Sequence, residues 1–132
     1  MTTWGEARAA FAERMELAHD KPGWLGVTVE GALVRVEAVT VRGEPWLLFL
    51  ATVCHEEDLP HRDALALNLR LAVGALALNG RRYELRLVLP LAGADAATLP
   101  GLAVELAQEA RRLAASVGAR NHAVTLFSAF KE

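Results

Sequence analysis

The segment from Asp63 to Leu113 constrains the fold most, because it sets out an apolar stretch, a hairpin and a long amphipathic helix in fixed order. It opens with Leu65, Leu67, Leu69 and Leu71, holds Asn68-Leu69 among them, and reaches Gly74 before a short apolar run. Asn79-Gly80 follows, a strong two-residue hairpin signal because both positions tolerate positive φ. From Arg81 to Leu89 the chain alternates: Tyr83, Leu85, Leu87 and Leu89 face one way, Arg82, Glu84 and Arg86 the other. That is the period of a strand with one buried face. After Pro90-Leu91, Thr98 and Pro100 open a helix whose stripe is Leu99, Leu102, Leu106, Ala110, Leu113 and Val117, and Gly118 is expected to end it. A hairpin followed by such a helix folds by laying the stripe on the apolar face of an antiparallel sheet.

Upstream, Thr3-Trp4-Gly5-Glu6 fits a capping box. Trp4, Ala7, Phe11, Met15 and Ala18 continue at three- and four-residue spacing, and Pro22-Gly23 is read as the end of this first helix. Three strands are predicted next. Leu25, Val27 and Val29 alternate up to the turn at Glu30-Gly31; Val34, Val36 and Ala38 alternate up to Arg42-Gly43; and Trp46 to Val53 is apolar on both faces. A strand apolar on both faces is covered on both, which places the last one centrally. From Pro60 to Ala72 the leucines alternate with period two while Ala, Leu and Arg favour helix; propensity decides for helix, with Asp58 as its cap. A helix apolar on two sides needs two covering surfaces, and inside one small domain the second is another subunit. The fold class is therefore α+β, ordered α-β-β-β-α-β-β-α, one domain over residues 1–132 with an apolar tail over 119–132 that carries Val124, Leu126, Phe127 and Phe130.

Composition narrows the function. At 132 residues and 53% hydrophobic, the chain buries an efficient core or keeps apolar surface for a partner. A net charge of −2 gives no electrostatic case for nucleic acid or an anionic membrane. Cys54 stands alone, the first eighteen residues carry Glu6, Glu13 and Glu16, and no run is long and apolar enough to span a bilayer, so the expected setting is cytoplasmic.

Reactive side chains cluster only at Cys54-His55-Glu56-Glu57-Asp58 and His61. Neighbours on a strand point to opposite faces, so Cys54 and His55 do not converge, and the spacing matches no zinc pattern. The expectation is no catalytic residue, no metal and no cofactor. Trp24, next to Pro22-Gly23, is a candidate anchor for a partner, against the alternative that it closes the chain junction; Trp46 belongs to the core.

The order Asn68-Leu69, Gly74, Asn79-Gly80, Pro90-Leu91 resembles the C-terminal half of the type III secretion chaperone family of the CesT/Tir type, and also the related YbjN-like proteins. The resemblance spans the chain in topology and Ala64 to Leu113 in residue pattern. It implies a non-enzymatic protein-binding module that holds an extended segment of a secreted effector, partly by strand addition at a sheet edge. It also implies a homodimer joined through the second helix, at Leu65, Leu67, Leu69 and Leu71. Partner binding is then expected on the first helix and the three-stranded meander, at Phe11, Trp24, Val27 and Val34. The YbjN-like branch implies instead an adaptor or regulator unconnected with secretion, and a small enzyme using Cys54 is the remaining alternative.

Overall fold

The computed structural model describes the backbone of residues 2–131 and the side chains of residues 2–121. Its elements are α1 (Trp4–Arg14), β1 (Leu17–Lys21), β2 (Trp24–Val29), β3 (Ala32–Val41), β4 (Glu44–His55), α2 (His61–Leu67), β5 (Ala75–Asn79), β6 (Arg82–Pro90) and α3 (Leu99–Lys131). Among the described residues six strands form one antiparallel sheet in the order β1-β2-β3-β4-β6-β5, with helices packed on its inner face.

α1 starts as its sequence dictates. The Thr3 hydroxyl accepts from the Glu6 amide at 3.2 Å, while the Glu6 carboxylate takes the Thr3 hydroxyl rather than the Thr3 amide. Ala7 and Phe11 are buried, and Phe11 meets Phe49 of β4 with ring centroids 6.1 Å apart. The helix is shorter than its stripe suggests. It stops at Arg14, Met15 is extended, and Leu17–Lys21 form the unpredicted strand β1 with Ala18 exposed. His19 and Asp20 are weaker helix formers than the Ala, Glu and Arg that make up most of α1, and Pro22-Gly23 reverses the chain (Gly23 φ +81°) instead of ending a helix, which lets β1 pair with β2. An ion pair between Arg8 and Asp20 ties the new strand to α1.

Two of the hairpins run through Glu30-Gly31 and Arg42-Gly43, both residues of each with positive φ, the twist that suits right-handed strands. At the β5–β6 hairpin the turn residues are Gly80-Arg81, one position later than the sequence suggests, because Asn79 pairs with Arg82. β4 is central, as expected from its composition. Its inward residues Leu47, Phe49, Ala51 and Val53 are buried beneath the helices, whereas outward Trp46, Leu48 and Leu50 are only half-buried.

The α3 stripe is buried at Leu99, Leu106, Ala110, Leu113 and Val117, with Leu102 half-buried. A short turn that ends at Thr98 prepares its start: the Asp95 carboxylate accepts from the Ala97 amide at 3.1 Å, and the Thr98 hydroxyl donates to the Asp95 carbonyl. Gly118 does not end the helix. No proline follows it, and Arg120 two residues later pairs with Asp63 at 2.7 Å, holding the continued helix against α2. The helical backbone runs to Lys131; the side chains of Val124, Leu126, Phe127 and Phe130 lie outside the described residues.

Candidate functional site

The segment read as a dimer helix is built differently from its sequence pattern. α2 ends at Leu67, and Leu69 and Leu71 lie in the loop beyond it. Asp58 does not cap it; that residue sits in a preceding 3-10 turn, and Pro60 occupies the cap position. The reason for the early end is Asn68. Its carboxamide oxygen accepts from the Leu76 amide at 2.6 Å and its nitrogen donates to the Leu76 carbonyl at 3.3 Å, so the side chain pairs with β5 as a short strand would. The following turn tightens through Leu69 N–H to Ala66 carbonyl and Arg70 N–H to Leu67 carbonyl bonds. Gly74 then brings the chain onto the sheet at φ +75°. The loop is also fastened to α3: the Glu109 carboxylate, held below its usual range chiefly by the Arg112 hydrogen bond, accepts from the Ala72 amide.

This geometry splits the four leucines. Leu67 and Leu71 are half-buried against the core, while Leu65 is 70% and Leu69 91% exposed. Leu65 shares a shallow apolar cleft with His61, Ala64, Leu76, Leu78 and Tyr83, and Leu78 is itself 45% exposed. The apolar surface of α2 and β5 is therefore real, but it is carried by Leu65, Leu69 and Leu78 rather than by all four leucines of the pattern. The Leu78 contribution was missed in the sequence, where it reads as an ordinary hairpin residue.

The four positions read as partner-binding separate as well. Phe11, Val27 and Val34 are fully buried between α1, the sheet and α3, so they build the core and present nothing to a partner. Their spacing is that of any core-facing residue, which is why pattern alone did not separate the two roles. Trp24 lies on the outer face of the sheet, half-buried, with the Arg35 guanidinium 4.1 Å from its ring centroid and the His19 ring 5.5 Å away.

The two edges of the sheet are unequal. At β5 the outward amide and carbonyl of Leu76 are taken by Asn68, which closes that position of the edge to an incoming strand. At β1 no described strand lies beyond Leu17–Lys21, and Ala18 to Lys21 are exposed. The strand is short and carries Asp20 and Lys21, features that discourage edge-to-edge self-pairing while leaving backbone groups open.

Cys54 sits on β4 opposite Tyr83, after an irregularity between Thr52 and Cys54 that turns both Val53 and Cys54 inward. Burial, with Asp58 nearby, pushes the thiol above its ordinary range. A nucleophile needs the opposite shift. Cys54 in the folded protein is therefore expected to react with a disulfide reagent at pH 8 roughly tenfold slower than a free thiol. Absorbance of the released thiolate measures this, and full reactivity should return in denaturant. Among the described residues no group of three or more His, Cys, Asp or Glu side chains is placed to hold a metal ion.

Comparison with solved structures finds the same architecture in a chain of the HopA1–SchA chaperone–effector complex, with a TM-score of 0.60 over 83% of this chain and 88% of that one, at 20% sequence identity. No protein-family model and no curated protein matches the sequence. At that identity the likeness is one of fold: the chain is an α+β protein that shares its six-stranded antiparallel architecture with a chain of that chaperone–effector complex.

Proposed function

We propose that this chain is a protein-binding module that holds an extended segment of a partner protein along β1, and that it works as a homodimer joined at Leu65, Leu69 and Leu78. The observation that carries the reading is the inequality of the two sheet edges: the Asn68 side chain blocks β5 at Leu76, and no described side chain blocks β1 in that way. Strand addition supplies affinity through backbone hydrogen bonds, and selectivity comes from side chains flanking the added strand. Trp24, paired in register with Lys21 at the end of β1, offers apolar surface for that purpose. The fold shared with a chain of a chaperone–effector complex supports a protein as the ligand, and a secreted effector is the partner class proposed.

The test is hydrogen exchange on the complex with a protein captured from the source cells. Added protection of the amides of Leu17 to Lys21, with those of β5 unchanged, is the expected result. Capture that leaves β1 exchanging as in the free protein would rule out strand addition there.

A further inference from the structure

We infer that a polar concavity on the outer face of the sheet binds a free apolar α-amino acid, its ammonium group on Glu84 and its carboxylate on Arg82. The concavity measures about 390 Å³, within the size range of small-molecule sites. The register sets its walls on one face: Leu50 of β4 stands opposite Arg35 of β3, and Thr52 stands opposite Glu84 of β6. Glu84 is withdrawn at 7% exposure. Its Oε1 accepts from the Asn79 carboxamide at 3.2 Å, while its Oε2 has no hydrogen-bond donor from the protein. Buried polar atoms nearly always have a partner, because stripping a carboxylate oxygen of water without replacing the donors is costly. A cation that carries N–H groups meets that need with a charge-assisted hydrogen bond.

The remaining charges decide what the other end of the ligand carries. Arg35 pairs with Glu37 and lies over the Trp24 ring, so those two charges are already matched. Arg82 is exposed in the same concavity and has no ion-pair partner among the described residues. Glu84 and Arg82 stand two residues apart on β6, on one face, with Cα atoms separated by about 7 Å. An α-amino acid carries an ammonium and a carboxylate on one carbon and bridges such a pair, whereas a simple amine or a simple anion uses only half of it. Leu33, 47% exposed, and half-buried Leu50 offer apolar surface beside these charges to the ligand's side chain. Oε2 itself is covered, so binding includes a rotamer change among the exposed side chains of the rim, which such residues make within nanoseconds.

The probe is L-leucine, beside N-acetyl-leucine, which lacks the ammonium, and leucinamide, which lacks the carboxylate. Amide shifts of the full chain are followed by NMR. Saturable shifts around Leu50, Thr52, Arg82 and Glu84 are expected with leucine, at an affinity roughly tenfold or more above that of either derivative, since each derivative loses one charge-assisted contact. Glu84→Gln keeps the side-chain size and an oxygen for Asn79, and it should weaken leucine roughly tenfold while leaving N-acetyl-leucine unchanged. Arg86→Gln, outside the concavity, should change neither. No saturable shift up to about 10 mM leucine, equal affinity for the three compounds, shifts centred elsewhere, or wild-type binding by Glu84→Gln would overturn the inference. If that variant does not fold, the three compounds still decide on the wild-type protein. No partner protein takes part, so failure here is distinguishable from failure of strand addition at β1.

Discussion

Leu69→Arg is expected to convert a dimer of this chain into a monomer that keeps its secondary structure, whereas Leu67→Arg two residues earlier should damage the fold itself. Leu69 is 91% exposed within one chain, so a guanidinium there stays in water and costs the single subunit almost nothing. In a two-fold dimer the same residue is changed on both sides of the interface. Each copy would then carry an unpaired charge against apolar surface, a loss of about 3–5 kcal/mol per buried charge and at least two orders of magnitude in the dimer dissociation constant. Sedimentation at micromolar concentration reads the outcome, and a wild-type protein that sediments as a monomer under those conditions removes the dimer from the proposal. Leu67 lies elsewhere, half-buried in the cleft between α2 and α3 with Leu59 and Val117. Arginine there loses packing within one chain, about 2 kcal/mol or more, and lowers Tm whether or not the protein associates.

That contrast shows how far the sequence reached. The alternation of Leu65, Leu67, Leu69 and Leu71 reads as two apolar faces of one helix, whereas only Leu65 and Leu67 lie on α2, with Leu65 and Leu69 exposed and Leu67 and Leu71 half-buried. It did not announce where the element ends. Asn68 reads as one more helical position, and its role depends on a hydrogen bond to Leu76, eight residues away on a strand. The same holds at the N-terminus. The apolar spacing of Trp4, Ala7 and Phe11 gave α1, but Met15 and Ala18 extended that spacing by coincidence, and β1 exists because β2 offers it hydrogen-bonding partners. A tertiary ladder overrides a local preference worth only tenths of a kcal/mol per residue.

Candidate site residues were less legible than the fold for a related reason. Phe11, Val27 and Val34 have the composition of an anchor and of a core residue alike, and only the position of α3 over the sheet decides between the two. Trp24 was separable in principle: its strand partners Lys21 and Glu37 are charged, which marks the outer face once the register is known. The open edge at β1 had no signal at all, since the strand itself was read as helix.

Replacing Gly74 by alanine should be among the most damaging methyl additions in the chain, and two other glycines calibrate it. At φ +75° an L side chain costs about 1–2 kcal/mol by itself. The added Cβ would also lie 2.8 Å from the Arg86 carbonyl oxygen and 3.1 Å from Leu106 Cδ1. A backbone atom does not yield as a flexible side chain does, so the loop must move and the Asn68–Leu76 pairing beside it is disturbed. Overpacking of this kind adds about 1–3 kcal/mol. With a Tm shift of roughly 3–5 °C per kcal/mol for a chain of this size, Gly74→Ala is expected to lower Tm by about 10 °C or more. Gly80→Ala shares the positive φ (+62°) but has nothing within 4 Å of the new carbon, so it should cost only the conformational part, a few degrees by the same scale. Gly118→Ala should move the other way. Helix α3 runs through that position, and the space around it is open. Alanine there gains about 0.5–1 kcal/mol of helix propensity and raises Tm. Thermal melts of the three variants check the order; a Gly74→Ala protein that melts with Gly80→Ala would mean that the loop relaxes freely and that Gly74 is required for its φ alone.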